Sequence, residues 1–92
     1  MIRSFADKNT EKLYTTGHCQ KYGNIEHAAL RKLGMLDAAA ALNDLKVPPG
    51  NHLELLQGDR IGQYSIRIND QYRICFFWDS GNAVSVEICD YH

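Results

Sequence analysis

The sequence predicts an α+β fold on three observations. Apolar residues in the first half recur with a helical period, those in the second half alternate with a period of two, and Pro48-Pro49-Gly50-Asn51 separates the two regimes. Ile2 and Phe5 bracket a short N-terminal strand. Asp7 is placed to cap a short helix that continues through Glu11, Leu13 and Tyr14 and ends at Gly17. Residues 18–24 have no period and read as a loop. Asn24 is a good N-cap for a second, longer helix. Its apolar positions Ala29, Leu33, Leu36 and Ala40 fall on one face, and Gly34 weakens it without having to break it.

Beyond the prolines, Leu53, Leu55 and Leu56 begin a first short strand, and Gln57-Gly58-Asp59-Arg60 turns the chain. Tyr64, Ile66 and Ile68 alternate with Ser65 and Arg67, and Asn69-Asp70 makes the next turn. From Tyr72 to Trp78, the residues Ile74, Phe76 and Trp78 face one way and Arg73, Cys75 and Phe77 the other. After Asp79-Ser80-Gly81-Asn82, Val84, Val86 and Ile88 alternate with Ser85, Glu87 and Cys89. The second half is therefore an antiparallel meander, and the two helices must cover its apolar face.

The 92 residues, 45% of them hydrophobic, suit one domain with one core. There is no run of apolar residues long enough to span a membrane, and Met1-Ile2-Arg3-Ser4-Phe5 lacks the pattern of a secretory leader. Three cysteines, Cys19, Cys75 and Cys89, form no C-x-x-C pair, so a reducing, cytoplasmic setting is expected rather than a disulfide scaffold. His18, Cys19, His27, Cys75 and Cys89 have no recognised ligand spacing, so neither metal nor cofactor is expected. The net charge of -1 argues against a general nucleic-acid binder, but Arg60, Arg67 and Arg73 stand close together and can form a local basic patch. Lys8, Lys12, Lys21, Arg31, Lys32 and Lys46 on the helical half read either as a second electrostatic face or as a solvated helix surface.

The end of the last strand is the candidate site. Strand parity sets Tyr91 on the side of Glu87 and Cys89, the side that also carries Arg67 and Arg73, with His92 at the rim. Metal-free RNA cleavage needs a group that activates the ribose 2′-hydroxyl, a cation for the phosphate and a proton donor for the leaving oxygen. Arg73 supplies the cation, His92 a group that titrates near neutrality, and Tyr91 a ring or hydroxyl for the nucleotide, while Asp90 can orient the imidazole or position Tyr91. The same residues also fit a frayed strand end with solvated arginines.

A resemblance narrows this. The opening Met1-Ile2-Arg3-Ser4-Phe5, Arg31-Lys32-Leu33 with Met35-Leu36-Asp37-Ala38-Ala39, and Pro48-Pro49-Gly50-Asn51 carry its first half. Leu53-Glu54, Gly58-Asp59-Arg60, Ser65 through Arg73, Val86-Glu87-Ile88 and the closing Asp90-Tyr91-His92 carry the rest. In this order and at this length the chain resembles the HigB branch of the RelE-like bacterial toxins, in particular the short plasmid maintenance killer proteins. The resemblance implies a RelE-like fold, two N-terminal helices packed on a mainly antiparallel sheet of about five strands. It implies a ribosome-dependent endonuclease that cuts mRNA in the decoding site and needs no metal. It also implies a HigA-type helix-turn-helix antitoxin as partner, with operator DNA reached only through that antitoxin.

The residues matched to the family's motif are Arg73, Asp90, Tyr91 and His92 for catalysis, with Arg60 and Arg67 as RNA contacts. Two positions depart. Some relatives carry a histidine where this chain has Glu54 and a lysine where it has Gln57, which points to a weaker active site or one that uses fewer groups. His52, two residues earlier and on the same strand parity, is a candidate for the missing base. Two other readings stay open: a ParE-like inhibitor of a protein target such as DNA gyrase, and a non-catalytic co-repressor that only binds the antitoxin.

Overall fold

Both helices form where the apolar period predicts them, in a computed structural model that describes residues 1–90. The first, α1, spans Lys8–Thr16 and buries Thr10 and Leu13 against the sheet. Asp7 stands at its N-cap position, but the carboxylate makes no capping hydrogen bond. The helix stops at Gly17, whose φ of 85° lets its N–H donate back to the Leu13 carbonyl at 2.8 Å.

Two buried side chains, Cys19 and Tyr22, hold the periodless segment 18–24. A 3-10 turn at Gln20–Tyr22 drives Tyr22 into the core, where its ring meets Tyr72 edge-on at 6.1 Å. Burial, and then the nearby Asp7 charge, push the Tyr22 hydroxyl up to about 12, so it is neutral throughout the physiological range.

The second helix, α2, spans Glu26–Ala38 and runs unbroken through Gly34. Its N-cap is Ile25, not the expected Asn24. Ile25 is buried, so packing decides the boundary over capping preference, and Glu26 accepts the Cys19 N–H at 3.0 Å instead. Ala29, Leu33 and Leu36 are fully buried as expected. Ala40 is not, because the helix has ended and the extended Ala39 turns inward in its place.

Lys32 corrects the view of the helical lysines as one exposed face. It is buried, and its Nζ donates to Asn51 Oδ1. Asn51, fully buried, in turn donates to the carbonyls of Leu45 and Val47 at 3.2 and 3.4 Å. This network fixes the proline-rich connection to α2.

Four strands follow: β1 (Glu54–Leu55), β2 (Tyr64–Arg67), β3 (Tyr72–Asp79) and β4 (Asn82–Asp90). They form one antiparallel sheet in the order β1-β2-β3-β4. The expected N-terminal strand is reduced to two isolated parallel bridges to β4, Ile2 with Ala83 and Phe5 with Val86. The segment still covers the outer edge of β4: Arg3 N–H donates to Ala83 O at 2.8 Å and Val86 N–H to Ser4 O at 3.0 Å. Further along that edge, Thr10 Oγ1 accepts the Ile88 N–H at 3.0 Å. The edge strand is thereby kept from pairing elsewhere.

The register of β4 shifts between the partners of Cys75 and Phe77. Cys75 pairs with Glu87 but Phe77 with Val84, so Ser85 and Val86 together oppose Phe76. Ser85 has the positive φ of 53° that such a bulge uses. The extra residue inverts the alternation. Ala83, not Val84, lies in the core with Val86, while Val84 faces the other way beside Phe77.

Asn51→Ala strands the Lys32 ammonium and two carbonyls in the interior. It should lower stability by about 2–4 kcal/mol in denaturant titrations, and adding Lys32→Met should recover part of that loss. At the bulge, Ser85→Val should cost about 1–3 kcal/mol in the same assay while Ser85→Gly costs little, because a β-branched side chain opposes the left-handed backbone most strongly and glycine not at all.

Candidate active site

Register brings the arginines together on the face opposite the helices. Arg67 pairs with Arg73 across β2 and β3, and Arg73 pairs with Cys89 across β3 and β4. The neighbouring outward row is Glu54, Ser65, Cys75 and Glu87, one residue from each strand. Two directly opposed cations repel. The structure resolves this by sending their side chains apart.

Arg67 bends away along its own turn. Its Nε donates to the Asn69 carbonyl at 3.2 Å and its Nη2 meets the Asp70 carboxylate. Arg73 turns inward and is only 7% exposed. Its Nε donates to Ser65 Oγ at 2.8 Å and its Nη2 to the His52 carbonyl at 2.6 Å, with Glu54 Oε1 3.7 Å away. The guanidinium therefore pins the segment before β1 over the sheet. Glu54 remains half-exposed, with its side chain 52% accessible, so a carboxylate stands beside the buried cation and open to solvent.

Arg60 lies in the 3-10 turn Gly58–Arg60 and crosses to β4, where its Nη2 donates to Glu87 Oε1 at 2.7 Å. Gln63 Oε1 accepts from its Nη1 at 3.2 Å. The hydrogen bond to Glu87 raises the Arg60 pKa further, so its charge is permanent. Beneath this pair, Leu56, Cys75 and Cys89 form a small dry cluster separate from the main core. The two cysteines are diagonal neighbours, since Cys75 pairs with Glu87 and Cys89 with Arg73. The adjacent Cys75 thiol, reinforced by burial, pushes the Cys89 thiol far up, so it keeps its proton and donates to Glu87 Oε1 at 3.4 Å.

Tyr91 and His92 lie outside the described residues. Asp90 pairs with Tyr72, on the parity of the core row rather than the arginine row, and accepts from Gln71 Nε2 at 3.1 Å. His52 does not share the parity of Glu54. It precedes β1 with a left-handed φ of 46°, so strand alternation does not reach it, and its carbonyl is what contacts Arg73. Sequence reasoning did not single out Ser65 or Glu87 as partners of the arginines, although the alternation that placed Arg67 and Arg73 on one face marks both as outward. A cavity of about 340 Å³ at the β3–β4 hairpin, lined by Arg3, Asp79, Ser80, Asn82 and Val84, lies at the other end of the sheet from these rows.

Comparison with known proteins decides the family. Residues 3–92 match the HigB-like toxins, described as the RelE-like toxin HigB of type II toxin–antitoxin systems. The chain belongs to this family. It is 44% identical over 87 residues to Toxin HigB-1 of Vibrio cholerae serotype O1, covering 92% of both chains. It is 38% identical over 81 residues to an uncharacterized protein of Haemophilus influenzae, covering 86% of this chain and 80% of that one. Among solved structures, the YoeB–YefM toxin–antitoxin heterotetramer of Staphylococcus aureus superposes with a TM-score of 0.64 at 18% identity, over 100% of this chain and 98% of that one. A second YoeB–YefM complex from the same organism gives 0.58 at 18% identity, with the same coverage. These likenesses establish the fold. The HigB-like toxin thus has the helices-on-sheet architecture expected of it, with four strands and two bridges among the described residues in place of about five strands.

Ser65→Ala removes the acceptor for Arg73 Nε inside a nearly closed site. Stability should fall by about 1–3 kcal/mol, measured by urea titration, and Ser65→Thr should fall less because it retains the hydroxyl.

Proposed function

We propose that this HigB-like toxin is a ribosome-dependent endoribonuclease that cuts mRNA in the decoding site without a metal ion, and that a HigA-type helix-turn-helix antitoxin restrains it. The observation that carries the reading is the arrangement around Arg73: a buried guanidinium, a half-exposed carboxylate at 3.7 Å, and a second arginine directly opposite across the sheet. Family membership supplies the toxin class, and these groups supply chemistry that suits RNA.

In the proposed reaction the ribose 2′-oxygen attacks the adjacent phosphorus and the bond to the leaving 5′-oxygen breaks. The products are a 2′,3′-cyclic phosphate and a 5′-hydroxyl end. Glu54 accepts the 2′-hydroxyl proton, a part that the sequence alone offers to His52. Arg73 offsets the charge that builds on the phosphoryl oxygens, and its fixed position means little reorganisation as the reaction proceeds. His92 gives a proton to the leaving oxygen, Tyr91 contacts the nucleotide, and Asp90, which ends β4, is anchored through Gln71. Arg60 and Arg67 contact the strand on either side. The ribosome supplies the mRNA in an extended, unstacked form.

Primer extension on mRNA, with purified toxin and with or without ribosomes, tests the reading. Cleavage only with ribosomes is expected. Glu54→Gln and His92→Gln should each slow single-turnover cleavage by about 10²–10⁴-fold while the melting temperature and antitoxin binding hold. Absence of cuts under every condition, together with gyrase inhibition, would instead establish the protein-target reading.

A further inference from the structure

The three arginines of the candidate face are each met by a carboxylate of the same chain: Arg60 by Glu87, Arg67 by Asp70 and Arg73 by Glu54. The face therefore meets RNA with its cations already neutralised. The Arg60–Glu87 pair differs from the others. It joins residues 27 apart in sequence at 2.7 Å, linking the 3-10 turn to β4. Both side chains remain partly accessible, at 36% and 26%, so the pair is of the weakly held kind that a competing anion can replace.

Three features make Arg60 suited to exchange. Its turn begins at Gly58 and is followed by Gly62, with φ of 66° and 90°, and glycine is the residue least restricted in backbone conformation. Glu87 keeps a hydrogen bond from the Cys89 thiol when Arg60 departs, so its carboxylate is not stranded. The guanidinium fork that holds a carboxylate also fits two phosphate oxygens.

We propose that Glu87 acts as an internal stand-in for an RNA phosphate. Its carboxylate holds Arg60 in reserve, and a backbone phosphate of the substrate strand replaces it only when the RNA is presented in place. This rests on the endoribonuclease reading of the face. Its consequence is that free single-stranded RNA binds weakly and with a shallow salt dependence, because forming the contact to Arg60 breaks an existing pair. Ribosome-held mRNA, already aligned, brings several phosphates at once and wins the exchange.

The test is fluorescence anisotropy of a labelled short single-stranded RNA over a salt series. Glu87→Gln should bind several-fold more tightly than the unaltered toxin. Its slope of log affinity against log salt should be steeper by about 0.7, the increment for one further phosphate contact on a single strand. Adding Arg60→Gln to Glu87→Gln should remove both gains. An unchanged slope in Glu87→Gln, or a gain that survives loss of Arg60, would overturn the proposal. If thermal melting shows Glu87→Gln unfolded at the assay temperature, Glu87→Asp, which withdraws the carboxylate by one methylene, reports the same slope. Cleavage by the unaltered toxin on mRNA-programmed ribosomes is measured alongside. Its absence defeats the endoribonuclease reading, whereas an unchanged slope beside normal cleavage defeats the stand-in alone.

Discussion

One extra residue in the last strand governs how both faces of the sheet are used. At Ser85 the backbone enters the left-handed region, and β4 carries two residues opposite Phe76 alone. Before the bulge, Ala83 points into the core; after it, Val86 and Ile88 do. Without the bulge, a strand with Ala83 inward would turn Ser85 and Glu87 toward the helices, where an unpaired carboxylate is costly. With it, Glu87 and Cys89 reach the opposite face and meet Arg60 and Arg73. The core of α1, α2 and the sheet, and the polar row that faces away from it, depend on the same irregularity.

That outward face is unusual for an exposed side of a small sheet because its charges are ordered. Arg73 is nearly buried, held by Ser65 and by a carbonyl of the segment before β1. Arg67, its cross-strand partner, is drawn off by its own turn. Arg60 leans over a dry patch of Leu56, Cys75 and Cys89. Two like charges in register would weaken an ordinary sheet. Here the two side chains part, and Glu54 is left beside the fixed cation. The ion pairs hold all three cations in fixed positions.

Much of the fold was legible before any coordinates. The shift from a helical to an alternating period located the helical and strand halves, and the alternation placed Arg67 and Arg73 on one face. The motif resemblance agrees with the family match over residues 3–92. The departures share a cause, which is that long-range packing overrode a local preference. Burial of Ile25 moved the start of α2 past Asn24, and the end of that helix gave Ala39 the inward place expected of Ala40. Lys32 went inside because Asn51 waited there with an acceptor. His52 lost the parity assigned to it because a left-handed residue precedes β1.

The sequence by itself determined the α+β class, the two helices, the meander and the cationic side of the sheet, because these follow from spacing along the chain. Only the tertiary structure decided which carboxylate each arginine meets, that the thiols of Cys75 and Cys89 lie together beneath Arg60, and that Val84 and Ala83 exchange faces. Those outcomes depend on strand register. A single bulge changes register by one residue, and every side chain on the near side of it then points the other way.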